Sequence, residues 1–575
     1  MTPPTQTGKK DLPMEARLLL AFVLMGLVIF ATPYFYKLVL PPAPMAKKSA
    51  AASNTQPSVT TAPVSDSASS TAPVPSAAPV PAGGVVAASA ESTPVIDTDE
   101  YRVVFSNRGA VVRSWTLKHY KDRGGKPLEI VNTAAASKVG YPFSLEFRDK
   151  KPSVNLNQAL FVANPSGDGL SVNFDYSNKG LVARKNFSFE KNGYLSHFET
   201  EVTQNGVPLP NLIEWRGGFG DFAVQSAAGQ QSAIRFDTVS SKLVRENAKS
   251  AKNGPVNADG AFSFAGIEDQ YFTAAFLPTG SGTVETTTFN DSVPTIYDKK
   301  DEPFVGTAIG GAGSNNLSLF VGPKDIDTLR KVNPKLEQIV DFGWFGILAK
   351  PLFLVLRLLN NQFVHNYGWS IVIVTIFINM LLFPLKLTNM KSMKKMQRLQ
   401  PQIAAINEKY KAMKLTDPRQ AQKNQETMDL YKANGANPMG GCLPLLIQMP
   451  FLFAFYKVLS VSIEMRNASW LRVSDLSQPE QIAIHVLPIL MIITGFIMQK
   501  MTPVAGGDPN QQKMMAIMPL FMGFFFYSVQ SGLVLYWLTG NLIGIAQQWF
   551  FNKTMTPVES GPAVPVSTQK KIARK

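Results

Sequence analysis

The chain has 575 residues, with 56 Lys/Arg against 41 Asp/Glu and a formal net charge of +15. Its one cysteine, Cys442, excludes an intrachain disulfide and a cysteine-based zinc site. The histidines His119, His197, His365 and His485 are too scattered for metal-ligand spacing, and no nucleophile, metal cluster or phosphate loop suggests an enzyme or a bound cofactor.

Residues 1–17 are a short basic start carrying Lys9, Lys10 and Arg17. The apolar run 18–40 that follows is long enough to cross a bilayer. A cleaved signal peptide is the rival reading, but its apolar region is usually shorter, and no A-x-A site follows Tyr34–Tyr36. The spacing predicts an uncleaved anchor. Residues 41–95, with "TAPVPSAAPVPAGG" at their centre, lack the apolar residues for a core and read as a disordered tether.

From 96 to 340 short alternating runs such as "YRVVFS", "FSLEF", "KNFSFE" and "HFETEVT" are separated by Gly, Asn, Asp and Pro. Period-two alternation with frequent turns predicts a large antiparallel β-sandwich. Glu214, Asp221, Glu268 and Asp269 are its candidate carboxylates, without a pairing pattern. "EWRGGFGD" (214–221) reads either as a ligand loop or as a tight turn using glycine's freedom at positive φ.

Residues 341–366 predict an amphipathic helix lying in the membrane interface. Lys350 and Arg357 fall seven apart on one face, Trp344 and Phe345 are interfacial residues, and Pro351 suits a first turn. Both charges and the Asn360–Asn361 pair weigh against a further span.

Five apolar segments follow, at 369–387, 442–463, 482–498, 514–529 and 533–551. With the anchor they predict a polytopic α-helical membrane protein of six spans. Residues 386–432 carry eleven Lys/Arg against four acids, and those after 552 carry five against one, whereas 464–480 holds two against three. Basic loops stay in the cytoplasm. This places 388–436, the turn 499–513 and the tail 552–575 inside, with both termini, and 464–481 and the β domain outside. In 388–436, Met390, Met393, Met396, Leu399, Ile403, Ile406, Tyr410 and Met413 form a helical stripe. Asp417–Pro418 restarts the helix and Gly435 stops it. The result is a helical hairpin, either packed on itself or offering a greasy, basic docking arm. Its candidate docking residues are Lys391, Lys394, Lys395, Arg398, Lys409 and Lys411.

Prolines interrupt the spans at Pro384, Pro444, Pro450, Pro488 and Pro519. Thr375, Asn379, Gln448, Lys457, Thr494, Thr539, Asn541, Gln547 and Gln548 are polar within them. Unsatisfied polar groups in lipid cost several kcal/mol, so these residues face protein or water. Interhelical packing alone accounts for Asn541, Gln547 and Gln548. Lys457 either snorkels outward or enters an aqueous pocket, and Lys386 is expected to reach the cytoplasmic interface.

"NPMGGCLPLLIQMPFLFAFY" (437–456), "DPNQQKMMAIMPLF" (508–521) and "SGLVLYWLTGNLIGIAQQ" (531–548) resemble the YidC/Oxa/Albino membrane protein insertases, and the six-span layout resembles their Gram-negative type. The resemblance implies a bacterial inner-membrane protein with a five-helix core and a periplasmic β-supersandwich. It implies a hydrophilic groove, open to cytoplasm and lipid and closed outside, that takes a client's polar segment. Implied partners are nascent membrane proteins, the Sec translocon, the ribosome and targeting factors, with anionic lipids against the basic surfaces; no cofactor is implied. The groove set is Thr375, Asn379, Pro384, Gln448, Lys457, Tyr536 and Trp537. The family's groove arginine is replaced by Asn379 and its last-span tyrosine by Trp537, with Tyr536 just before it. Charge is then expected from Lys457 or Lys386, and hydration from Asn379, Thr375 and Gln448. Asn379→Leu is expected to impair insertion and Asn379→Arg to be tolerated. Rival functions are a small-solute transporter, pointed to by broken helices, and an envelope scaffold with a glycan-binding outer domain.

Overall fold

The computed structural model describes residues 84–554 apart from 123, 223–226, 281, 296–299, 411–418, 437–442, 483 and 503–508. The anchor at 18–40, residues 1–17, most of the 41–95 tether, the tail beyond 554, Cys442, Lys411, Met413 and the Asp417–Pro418 restart lie outside the described residues.

Residues from Val95 to Pro323 build three antiparallel sheets. One has ten strands, running from Lys242–Glu246 at one edge to Val162–Pro165 at the other. A five-stranded sheet runs from Val256–Gly260 to Ser144–Glu146, and a four-stranded one from Val95–Asp97 to Pro127–Glu129. Alternation drives the layering. Along Leu181–Phe189 the residues Leu181, Ala183, Phe187 and Phe189 are buried. Lys185 shares that inward face, and its ammonium donates to the carbonyls of Gly109, Ala110 and Phe143 at 2.8, 3.2 and 2.7 Å. Rings from the different sheets meet in one core: Phe143 lies 5.1 Å from both Phe187 and Phe198, and Trp115 lies 6.4 Å from Trp215.

Nine helices matter for the site. They are α1 Gly346–Leu359, α2 Tyr367–Leu381, α3 Phe383–Arg398, α4 Gln400–Lys409, α5 Arg419–Ala433, α6 Leu443–Val461, α7 Val486–Met501, α8 Pro509–Phe526 and α9 Ser531–Thr554. With its π-helical extension, α1 spans Gly346–Val364 and is long and apolar enough to cross a membrane. Its buried side is Ala349, Leu352, Phe353 and Leu356, while Ile347, Leu354 and Leu358 are exposed. Arg357 pairs with Asp327 of the short helix Ile326–Val332. The arginine that weighs against a span is thus spent on the β region.

At Leu382 the chain bends by 59° between α2 and α3. Pro384 supplies the physical cause: it lacks an N–H and clashes with the preceding turn, so the helix restarts with proline in its first turn. The 24 residues of α9 reach about 36 Å, more than the ~30 Å of a hydrocarbon core. Small residues let α7 close in on both α8 and α9. A side chain at Gly523 would meet Ile492 at 2.1 Å, and one at Gly544 would meet Met498 at 2.5 Å.

In the hairpin of α4 and α5, Met396, Leu399, Ile403, Leu430, Tyr431 and Ala436 form one apolar cluster. Tyr410 is buried too, and its hydroxyl donates to Glu426 at 2.9 Å. The centre of the stripe is therefore packed on the hairpin itself. Lys391, Lys395, Arg398 and Lys409 remain exposed.

Candidate polar cavity among the helices

The connection between α6 and α7 closes the end of the helices that faces the β region. Asn366 Nδ2 donates to Ser469 O at 3.0 Å, Gly532 N to Leu476 O at 2.9 Å, and Ser531 Oγ to Gln478 O at 2.8 Å. Trp470 packs so tightly on Gly368 that a Cβ there would come within 2.2 Å of its ring. The Glu480 carboxylate accepts from Val486 N and Leu487 N, both at 2.6 Å, capping α7 with negative charge at its positive end. The β region joins this cover, with Gln270 Nε2 donating to Ser460 O at 2.7 Å and Arg466 pairing with Asp221.

At the other end α3, α6, α7 and α9 enclose a cavity of about 300 Å³. Its polar lining includes Lys386, Asn389, Lys394, Gln397, Gln448, Asn541, Gln547 and Gln548, beside Met390, Met393, Met498 and Trp537. No Asp or Glu is among these residues. Two buried oxygens, Asn389 Oδ1 and Gln547 Oε1, have no hydrogen-bond partner among the described residues. Orphaned polar atoms beside a polar cavity are what water or a peptide would satisfy. Gly540 faces this space, where a Cβ would make ordinary contacts at 3.5 Å from Gln448 Nε2 and 4.0 Å from Asn379 Nδ2.

Of the seven expected groove residues, Gln448 and Trp537 line this cavity directly. Asn379 sits one layer behind: its Nδ2 donates to Thr375 O at 2.8 Å, and its Oδ1 accepts from Lys386 Nζ at 2.5 Å. Thr375 is fully buried, its hydroxyl donating to Ile371 O at 2.6 Å, so it packs the helix rather than wetting the cavity. Tyr536 is buried and stacked on Phe455 at 4.3 Å. Pro384 is exposed at the bend. Lys457 lies near the covered end instead, its Cε 3.3 Å from where a side chain on Gly343 would begin. The expectation that Lys457 lines the groove is corrected: fifteen residues of helix carry it past the cavity to the loop before α1. Lys386 also departs from expectation, turning back to Asn379 instead of reaching for the interface.

Asn541, Gln547 and Gln548 both pack and line. Asn541 Nδ2 donates to Thr494 Oγ1 at 3.2 Å, Gln547 Nε2 to Asn379 O at 3.3 Å and Gln548 Nε2 to Asn552 Oδ1 at 2.9 Å. Asn389, Met390 and Met393 were missed as lining. The signal was the three-four stripe itself, which begins at Met390, about two turns past the bend.

The outer carboxylates are structural partners. Glu268 bridges Arg245 at 2.7 Å and Lys324 at 2.9 Å. Asp269 accepts from Tyr271 N and Phe272 N at 2.8 and 2.6 Å. Glu214 is pushed up to about 7 by burial. In "EWRGGFGD" the turn reading holds, with Gly217 and Gly218 at φ 73° and 71°.

Residues 94–355 match the family model described as YidC periplasmic domain, and 359–558 the one described as 60Kd inner membrane protein. The chain is 33% identical over 557 residues to the membrane protein insertase YidC of Geotalea daltonii, covering 94% of this chain and all of that one. With its counterpart in Pelobacter propionicus it shares 35% identity over 508 residues, 82% of this chain and 90% of the relative. A crystal structure of an active YidC insertase with its first transmembrane domain resolved aligns with 80% of this chain and 93% of its own, at 19% identity and a TM-score of 0.35. The chain belongs to the YidC family of membrane protein insertases.

Proposed function

We infer that this chain inserts client proteins into the inner membrane, and that the polar cavity holds a client's polar segment during transfer. The observation that carries the reading is an amide- and lysine-lined cavity among apolar helices, covered at its outer end. Carrying a polar tail through hydrocarbon is costly, and a wet recess lowers that cost. Burial of the client's apolar helix in lipid then supplies the drive, on the order of 25 cal/mol per Å². No step requires a nucleotide or a covalent intermediate.

The arrangement we propose has six spans, with both termini and the α4–α5 hairpin in the cytoplasm and residues 96–340 in the periplasm. Support comes from the charge of the 386–432 loop and the acidic balance of 464–480. The exposed cations Lys391, Lys395, Arg398 and Lys409 favour docking of a ribosome, a targeting factor or anionic lipid there. Work alongside the Sec translocon belongs to the same reading. The solute-transporter alternative is not favoured, because the relatives are insertases.

Single cysteines at positions 448, 541 and 548 in a Cys442→Ser background test the groove. A membrane-impermeant maleimide should reach them from the cytoplasmic side and not from the outside. If all three stay unlabelled from both sides, the groove reading fails.

A further inference from the structure

Within the connection between α6 and α7, Trp470 and Val473 exchange two backbone hydrogen bonds, both at 2.9 Å, and close a two-residue turn of Leu471 and Arg472. Leu471 has a φ of 50°, a left-handed backbone that is easy for glycine and costly for leucine. Its side chain is 75% exposed, so burial within the chain does not offset that cost. Arg472 is exposed beside it and has no ion-pair or hydrogen-bond partner among the described residues. Folding alone thus favours glycine at this tip. Strain held at an exposed apolar position points to a contact outside the chain. The surroundings identify that contact. Trp470 packs edge-on against Trp369 at 5.5 Å, and Trp369 heads an exposed apolar stripe down α2 made by Ile373, Ile376, Phe377 and Met380. Steps of three and four put these residues on one face of the helix. Such a stripe on a span faces lipid, and tryptophan is typical of its headgroup end. The other end of the connection repeats the pattern, with exposed Ile484 leading into exposed Ile489, Leu490 and Ile493 of α7.

We propose that the Leu471–Arg472 turn anchors the α6–α7 connection in the bilayer leaflet on the β-region side, with Leu471 among the acyl chains and Arg472 on lipid phosphate. This rests on the spanning arrangement proposed above. A guanidinium matches phosphate oxygens in a bidentate fork, and the leucine beside it adds apolar burial. So anchored, the connection is held over the helix ends by the membrane as well as by the β region, which grips it through Arg466 and Asp221.

The test places single cysteines in a Cys442→Ser background of the full chain, labels them with bimane and reconstitutes the protein in vesicles of phosphatidylcholine and phosphatidylglycerol. One quencher is lipid carrying a nitroxide on its acyl chain, and the other is iodide present on both sides of the membrane. Phe377→Cys, exposed on α2, is the lipid reference, and Val239→Cys, exposed on the β region, is the aqueous one. Bimane at Leu471→Cys should lose most of its fluorescence to nitroxide lipid and little to iodide, as at 377. A second probe, at Ser474→Cys, keeps Leu471 in place. There Leu471→Gly, which suits the backbone better, and Arg472→Glu should each shift quenching from lipid towards iodide.

Iodide quenching at 471 as strong as at 239 would put the turn in water and overturn the proposal. So would a probe at 471 that neither quencher reaches, since protein would then cover the turn. Lipid quenching at 474 unmoved by both variants would show that these two side chains do not hold the turn in the membrane, with the same consequence. Lack of lipid quenching at 377 would instead sink the spanning arrangement, and this inference with it.

Discussion

Arg466, on the connection between α6 and α7, is bound to Asp221 of the β region 245 residues earlier in the chain. Both side chains are buried, at 3% and 0% exposure, and the guanidinium also donates to Lys121 O at 3.1 Å and lies 5.0 Å from the Phe272 ring. Two desolvated charges are secure only together. Asp221→Ala or Arg466→Ala leaves the other charge buried without this counter-charge and should cost about 3–5 kcal/mol. Replacing both by apolar residues of similar size should cost much less. Thermal unfolding of the purified full chain, with protease sensitivity at the junction of the two regions, measures both. Equal costs for the single and double variants would mean that the pair does not hold the junction.

Glu214 gives the β region a pH signature of its own. Burial raises its pKa to about 7 from the ordinary 4.5, and neighbouring Arg216 only partly offsets this. The folded carboxyl prefers its proton, so the group opposes folding only where it must ionise. Its contribution is neutral below the unfolded value, turns unfavourable as pH rises from about 4.5 to about 7, and stays so above. Glu214→Gln, which mimics the protonated form, should leave stability unchanged near pH 4 and raise it near pH 8. At 1.36 kcal/mol per unit the ceiling is about 3 kcal/mol. Melting curves of both proteins across that range provide the check, and a gain at pH 4 equal to that at pH 8 would refute the assignment.

Two glycines that look alike in sequence should respond differently to alanine. At Gly544 the added carbon meets Met498 Cε at 2.5 Å, the free end of a flexible chain that can swing aside. At Gly368 it meets three atoms of Trp470 within 2.5 Å, including Cβ, and that ring is wedged against Trp369 at 5.5 Å. Gly544→Ala should cost less than about 1 kcal/mol, and Gly368→Ala about 1–3 kcal/mol from overpacking. Trp fluorescence should shift only in the second variant, because only there does the ring move.

What could be read in advance depended on whether a feature was local. The alternation of Leu181–Phe189 and the break at Pro384 each follow from a few adjacent residues. The polar positions inside the apolar segments were equally visible, because lipid tolerates none of them unsatisfied. Which of them would share a cavity was not visible, since that is decided by helix crossings and by the 59° bend. Thr375 and Asn379 sit one turn apart in the second half of α2, and both lie behind the wall. Lys457 stands out in sequence as a charge in an apolar run, yet its depth along α6 puts it near the covered end. Periodicity puts Asn389 and Met393 in the hairpin, because it says where a stripe runs, not where the chain bends it back.

The arginine substitution at Asn379 now has a different expected outcome than sequence alone suggests. A guanidinium at that position would be driven into Lys386 Nζ, which already lies 2.5 Å from the Asn379 oxygen. Two cations about 4 Å apart cost up to roughly 4 kcal/mol at an effective dielectric of 20, before relaxation. Asn379→Arg alone should therefore weaken insertion, either by expelling Lys386 from the cavity or by spreading α2 from α3. The double variant Asn379→Arg, Lys386→Asn exchanges the two groups, keeps one cation and one amide in contact, and should recover most of the activity. Insertion of an acidic-tail client in vesicles distinguishes these cases. If the single variant inserts normally and the double shows no advantage, the two residues are not coupled, and the amide at 379 serves packing alone.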